Sequence, residues 1–310
     1  MNIQFLNPLS RAWDRMVIAL FKPFDLMKWF VVGFTAFLAD LTGGSYGGGG
    51  GSSWKKSYHD SFDFDALFDT PREAWFWLQD HMQWIILFVF GAMAIVALII
   101  VLTWVSSRGS FMFLDNVVQN RSEISRPWRQ FKRLADSLFL WKIIFGFVSI
   151  ALVCGAIALI LVQVFRMHEA GGFDQYFLFP LVSYGLLLLL VTLVIAYIST
   201  LLHNFVVPIM YKHDITVLPA WRTFMELFLS YPLQFILYGL LLFVIHFVII
   251  FGVIIVGLFT CCCGFALLAL PYISSVVLLP ISYTLRAFGV EFLEQFGPEY
   301  EIFPKPATTV

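Results

Sequence analysis

Charge is scarce in this sequence. Lys, Arg, Asp and Glu make up 13% of its 310 residues, 19 basic against 20 acidic, for a net charge of −1. Soluble chains carry about 25%, and so few charges cannot cover a water-facing surface of this size. The near-neutral balance also removes the basic excess that nucleic acid binding requires. Cysteine is scarce as well. Cys154 falls inside a long apolar run, and Cys261, Cys262 and Cys263 are adjacent, so no disulfide framework and no CxxC or Cys/His metal spacing is available. The plain reading is small apolar residues in or near lipid, with thiol redox chemistry or lipidation as the alternatives. No HExxH, GxSxG, paired intramembrane aspartates or Ser-Lys arrangement occurs, so the chain is expected not to be an enzyme and to use no cofactor. The first 26 residues lack the short apolar core and small-residue cleavage site of a signal peptide, so the first span is expected to serve as its own insertion signal.

Apolar residues fill the gap at 60%, with 35 Phe and 10 Trp. A bilayer core about 30 Å thick needs roughly 20 apolar residues as helix. Trp84–Val105, Ile143–Phe165 and Phe177–Leu202 meet that length without Lys, Arg, Asp or Glu. The stretch Leu233–Leu285 also lacks all four and is long enough for two helices, Pro232–Phe259 and Phe265–Leu285, with a turn at Thr260–Gly264. Trp29–Leu41 is short. It spans only if its helix starts near Leu20, with Lys22, Asp25 and Lys28 at the headgroups; the alternative is a re-entrant or interfacial segment. The expected fold is therefore all-α, a polytopic bundle of six transmembrane helices in three hairpins. Orientation follows from Lys and Arg. Only Lys55, Lys56, Arg72 and Arg166 fall on the outer side, leaving 15 of 19 within and both termini cytoplasmic.

The hairpins form a repeat. One fixed offset aligns Trp128/Trp221, Arg129/Arg222, Phe131/Phe224, Leu134/Leu227, Ser137/Ser230, Ile143/Ile236 and Gly146/Gly239; a weaker first copy matches Arg11/Arg126, Trp13/Trp128, Phe24/Phe139 and Phe30/Phe145. The units are 1–105, 106–204 and 205–310 within a single membrane domain. Each hairpin is preceded by an amphipathic helix with apolar residues at i, i+3, i+4 and i+7, and with Pro8, Pro127 or Pro219 near its start. Such helices lie at the interface, apolar faces in lipid or against the bundle and basic faces toward anionic headgroups. Arg11, Arg15, Arg126, Arg129, Lys132, Arg133 and Arg222 are the candidate headgroup ligands. Phe288, Phe292 and Phe296 recur every four residues and predict one more interfacial helix.

Few residues point to chemistry. The outer loop 42–83 opens with a Gly-rich linker, Gly43–Ser53, and continues with His59, Asp60, Asp63, Asp65 and Asp69. These lack the EF-hand spacing, so a solvated acidic loop is expected, with weak cation binding as the alternative. His246 is the one ionisable side chain near the middle of a span, expected as a neutral imidazole bonded to a neighbouring helix, with a proton or substrate path as the alternative. Pro271 and Pro280 make the sixth helix the one to be irregular, and broken helices are where transporters place substrate sites.

The segments NPLSRAW (Asn7–Trp13), KPFDLMKWFVVGF (Lys22–Phe34), RPWRQF (Arg126–Phe131) and PAWRTF (Pro219–Phe224) carry a resemblance. The chain resembles poorly characterised prokaryotic multi-pass membrane families of unknown function and is distantly similar to the membrane domain found beside some glycerophosphodiester phosphodiesterases. That resemblance implies a six-helix inner-membrane protein, supplies no catalytic residue and carries over no lipid hydrolysis. The leading expectation is a non-enzymatic scaffold, lipid-interacting or partner-binding component, as a homo-oligomer or with a membrane partner. The alternative is a transporter or channel for an apolar or weakly polar solute, with a polar path past His246, Tyr197, Ser199 and the kinked sixth helix. A membrane enzyme using His203, His213, Asp214 and Glu226 comes third.

Overall fold

A computed structural model describes residues 3–42, 82–169, 175–260, 268 and 270–304. The Gly-rich acidic loop and Cys261, Cys262 and Cys263 lie outside the described residues. The described chain is helical, without a strand: α1 (Leu6–Phe21), α2 (Leu26–Asp40), α3 (Met82–Gln119), α4 (Ser125–Gln130), α5 (Lys132–Glu169), α6 (Gln175–Leu201), a π-helical turn (Leu202–Val206), α7 (Val207–His213), α8 (Val217–Ser230), α9 (Pro232–Phe259), α10 (Pro271–Val277) and α11 (Leu279–Leu293). Pro8, Pro127 and Pro219 each stand third in α1, α4 and α8. Backbone N–H groups in a first turn have no intrahelical partner, so proline costs little there. Asp25 starts α2 by accepting from the N–H groups of Met27 and Lys28 at 2.9 and 3.3 Å. Asn120 and Asp214, at φ 51° and 50°, turn the chain after α3 and α7 in the left-handed conformation these short polar residues tolerate.

Four helical stretches are long and apolar enough to cross a bilayer: Ile85–Gln119, Lys132–Met167, Leu178–His213 and Pro232–Phe259, each containing an 18-residue window of mean hydropathy 3.3, 2.8, 2.5 and 3.1 in turn. Their apolar windows lie almost wholly on the surface. Phe147, Phe179, Phe247 and Phe259 are 66–85% exposed, which in water would be an unsustainable apolar patch and in hydrocarbon is ordinary. The chain is all-α with the composition of a multi-pass membrane protein.

Each long helix also has a buried end, and these ends meet in one aromatic core. Phe205 stacks on Phe224 with ring centroids 5.5 Å apart and meets the edge of Phe235 at 5.0 Å; Tyr238, Phe288, Phe292 and Phe296 close the cluster. Such offset and edge-on pairs add to area burial. The three phenylalanines of the C-terminal stripe are thus 0–6% exposed and form the axis of the core, not an interfacial helix. Four-residue spacing marks a helix face, but it does not say whether lipid or protein covers that face.

The amphipathic helices also turn inward. Ala12, Met16 and Leu20 of α1 are buried, and α1 packs along α11. The second amphipathic segment is split at Phe131: short α4 precedes the break, and its apolar face continues as the first turns of α5, where Leu134, Ala135 and Leu138 are buried. Phe131/Phe224 and Leu134/Leu227, two of the aligned pairs, are buried in both copies. Trp128 meets Trp104 edge-on at 5.7 Å, while Trp221 stacks on Trp141 at 5.6 Å.

The sixth candidate span is irregular, as its prolines predict. α10 begins at Pro271 and stops at Val277, and α11 starts again at Leu279 with Pro280 in its first turn. α10 lies against α2. Trp29 Nε1 donates to the Val276 carbonyl at 3.0 Å, Tyr272 Oη donates to the Phe30 carbonyl at 3.1 Å, and a Cβ on Gly33 would stand 2.9 Å from Val276 Cγ2.

Candidate functional site

The site arises where the exposed arms enter the core, and the π-helical turn builds it. Val207 N–H reaches five residues back to the Leu202 carbonyl, so it does not serve His203 four residues back. Pro208 is the next residue in line and has no N–H to give. The His203 carbonyl is therefore left without a helical donor, and the Arg286 guanidinium of α11 takes it through Nη1. Nη2 of the same group donates to the Ser110 carbonyl at 3.0 Å. One side chain, 8% exposed, thereby ties α11 to α3 and to the bulge after α6. Single-turn π-bulges recur at functional sites because they free backbone groups in this way.

Around Arg286 lies a cavity of about 420 Å³ between α2, α3, α6, α9 and α11, lined among others by Asp40, Ser199, His203, Asn204, His246 and Arg286. Asp40 reaches it because α2 ends against α3. A Cβ on Gly109 would stand 2.6 Å from the Ala39 nitrogen, so only glycine admits this approach. Ser106 Oγ donates to the Ala39 carbonyl at 2.9 Å and covers the open end of α2. A second cavity of about 840 Å³ lies between α3, α5 and α6 and shares Ala196, Ser199 and His203 with the first. It is mostly apolar, with Lys142 at its root. Lys142 Nζ donates to Ser106 Oγ at 3.3 Å.

Hydrogen bonding is incomplete here. His203 Nδ1 donates to the Ser199 carbonyl at 2.9 Å, which leaves Nε2 as the acceptor of the neutral ring. That Nε2, Arg286 Nε, Tyr197 Oη and Ser149 Oγ are buried atoms with no partner among the described residues. Within the described residues no ion pair joins Asp40 to Lys142 or to Arg286 at 4 Å or less. Buried polar groups in native proteins are overwhelmingly paired, so several open ones in one place mark a site.

The residues singled out in the sequence divide. His246 lines the smaller cavity, with Nδ1 2.7 Å from the carbonyl of Leu242 in its own helix. Tyr197, Ser199 and His203 gather at or beside the cavities, whereas His213, Asp214 and Glu226 are exposed and line neither. Arg11 and Arg15 are both bound to Glu291, a carboxylate 1% exposed, and Arg15 lies over the Phe303 ring at 3.8 Å. Arg133 bonds Asp214 at 3.0 Å. Arg126, Arg129, Lys132 and Arg222 are exposed.

The sequence shows no charge deep in a span, yet Arg108, Arg286 and Glu291 are buried. Asp40, Lys142 and Arg286 each flank an apolar run, where a charge reads as a headgroup marker and not as part of a site. Their flanking positions on three different runs were the available signal. Helix crossing at those ends brings them inward.

Compared with curated proteins and with solved structures, the chain has no match in either set. Compared with protein families, residues 4–293 match one described as "Family of unknown function (DUF7544)". That match takes in α1 through α11, and so the core, both cavities and Arg286; the chain belongs to this family.

Proposed function

We propose that this protein is a non-enzymatic, lipid-interacting component of a cell membrane, crossing it six times with both termini on the cytoplasmic side. Four crossings are the long apolar helices. The other two are assigned to the chain around α2, whose 15-residue helix is started by Asp25 and not near Leu20, and around α10, and these two helices pack on each other. The orientation rests on the bias of Lys and Arg toward the core end of the helices. Exposed Arg126, Arg129, Lys132 and Arg222 are the residues on this side that meet anionic headgroups.

One observation carries the lipid reading: the 840 Å³ groove between three candidate spans, apolar along its length and ending at Lys142, Ser199 and His203. A groove of that composition among lipid-facing helices fits an amphiphile. Native mass spectrometry of the protein released from membranes tests it. Retained lipid, with a thermal midpoint that falls on delipidation, is the expected result. A protein that holds no lipid and is indifferent to its removal would dismiss the reading.

The smaller cavity supports a second reading, a transporter of a small polar solute. It brings Asp40, His203, His246 and Arg286 together beside a π-bulge. Solute uptake by proteoliposomes, abolished by His246→Leu, is its test; flux equal to that of empty vesicles removes it.

A further inference from the structure

The two cavities meet at Ala196, Ser199 and His203, and we infer that they form one bipartite site occupied by an anionic phospholipid, with the phosphate held near Lys142, His203 and Arg286 and an acyl chain laid along the groove between α3, α5 and α6. This rests on the lipid reading above and adds the class of lipid and its pose.

Charge gives the sign of the ligand. The ionisable groups facing the two cavities are Asp40, His246 and Arg286 in the smaller, Lys142 and the Cys154 thiol in the larger, and His203 in both. Apart from the imidazoles, two cations, Lys142 and Arg286, face one carboxylate, Asp40. Lys142 Nζ has a single hydroxyl acceptor in Ser106, Arg286 spends two donors on backbone carbonyls, and neither pairs with Asp40 within 4 Å among the described residues. The remaining ammonium protons and the open Nε of Arg286 call for an acceptor that carries charge. Phosphate oxygens meet that need.

His203 refines the class. Its Nδ1 proton is committed to the Ser199 carbonyl, so its buried Nε2 faces the site as an acceptor. A headgroup that offers a hydroxyl beside its phosphate satisfies both kinds of open atom, and phosphatidylglycerol is such a lipid. A choline headgroup has no hydroxyl and brings a cation toward Lys142 and Arg286.

Length and polarity give the tail. The groove follows α5 from Trp141 to Cys154, about 20 Å at 1.5 Å per residue. One leaflet is half of a hydrocarbon core roughly 30 Å thick, so the groove accommodates an acyl chain from the headgroup level to the midplane. It shares Ser199 and His203 with the polar cavity, so the tail and headgroup sites adjoin there.

Binding of short-chain phosphatidylglycerol, phosphatidylcholine of equal chain length and free glycerol phosphate to the full-length protein in detergent tests this, with Lys142→Met and Ser149→Phe as variants. Lys142→Met exchanges a half-buried cation for an apolar chain of similar length, a change folds tolerate; its thermal midpoint verifies folding. Ser149→Phe fills the groove. We expect phosphatidylglycerol to bind the unaltered protein at least about tenfold more tightly than phosphatidylcholine, the size of one charge-assisted hydrogen bond. Lys142→Met should erase that preference by weakening phosphatidylglycerol far more than phosphatidylcholine, which loses the same phosphate contact but also the repulsion of its choline. Ser149→Phe should weaken both lipids, and glycerol phosphate should bind poorly because it lacks the tail. Equal binding of the two lipids would overturn the inference and leave the lipid reading standing. Glycerol phosphate as tight as the lipid would overturn it in favour of a solute pocket. Loss of preference in an Arg126→Gln, Arg129→Gln, Lys132→Gln, Arg222→Gln variant but not in Lys142→Met would move the headgroup to the exposed basic face and overturn the pose. Absence of binding by all three ligands would sink this inference and the lipid reading together.

Discussion

The guanidinium of Arg286 donates to the carbonyl of His203, a backbone group that the π-bulge and Pro208 together deprive of its helical partner. The bulge and the arginine are therefore one device. Pro208→Ala restores a backbone N–H and permits the ordinary helical register, which would make Arg286 less necessary. Arg286→Met alone should destabilise by about 3 kcal/mol, as loss of one partner in a buried charged network does. In the Pro208→Ala background it should cost less, with a coupling of about 1 kcal/mol in a double-mutant cycle. Strict additivity would show that bulge and arginine are independent.

Glu291 holds α1 on α11 through Arg11 and Arg15, and it is buried while both arginines remain partly exposed. Truncating the buried member leaves two cations facing an empty polar hole. Glu291→Ala should destabilise by about 3 kcal/mol, whereas Arg11→Gln, at the more exposed partner, should cost under about 1 kcal/mol. Denaturation in detergent reads the difference, and protease sensitivity of the first 22 residues reports whether α1 is the element released. Equal small effects would mean that α1 is held by its apolar face alone.

Gly109 and Gly155 make a matched pair. A methyl on Gly109 meets the α2 backbone at 2.6 Å, whereas one on Gly155 meets nothing within 4 Å. Gly109→Ala should lower stability by about 2 kcal/mol through forced separation of α2 and α3. Gly155→Ala should be neutral or slightly favourable, since alanine is the better helix former by about 1 kcal/mol. The comparison is a pair of thermal midpoints.

Glu294 lies outside the spans, where its carboxylate oxygen accepts from the N–H groups of Ile302 and Phe303 at 2.8 and 2.7 Å. Burial pushes its pKa above the usual 4.5, against the opposing pull of those two hydrogen bonds. A carboxyl whose folded-state pKa is raised binds its proton more tightly when folded. Its contribution to stability is therefore complete below the ordinary value and is lost as pH rises through the raised one. Thermal midpoints measured upward from pH 4.5 should show this decline, and Glu294→Gln should flatten that part of the profile. An identical profile in the variant would assign the decline elsewhere.

Cys154 is exposed on α5 in the apolar region and lines the groove. In a variant with Cys261, Cys262 and Cys263 replaced by Ser, a lipid-soluble maleimide should label it and a charged, membrane-impermeant one should not. Added phosphatidylglycerol should slow the lipid-soluble reaction. Labelling by the charged reagent in intact vesicles would place this face in water.

Hydropathy by itself marked five long apolar stretches and a short sixth as helical spans, and four of them are helices long and apolar enough to cross a bilayer. The free-energy cost of exposing unpaired backbone and charge to lipid is large and local, so windows such as Pro232–Phe259 declare themselves without knowledge of their neighbours. Sequence periodicity likewise placed the inward-facing stripes of α1, α8 and the C-terminal helix. Only tertiary structure decided what those stripes face, because Phe288, Phe292 and Phe296 carry the same spacing whether lipid or the Phe205 ring covers them. It alone also decided the site. Asp40, Lys142 and Arg286 each end a different apolar run, and their meeting depends on where helices cross: at Gly109, which admits α2, and at the π-bulge before Pro208, whose open carbonyl draws in Arg286. Contacts between residues 70 or more positions apart have no signature along a single chain.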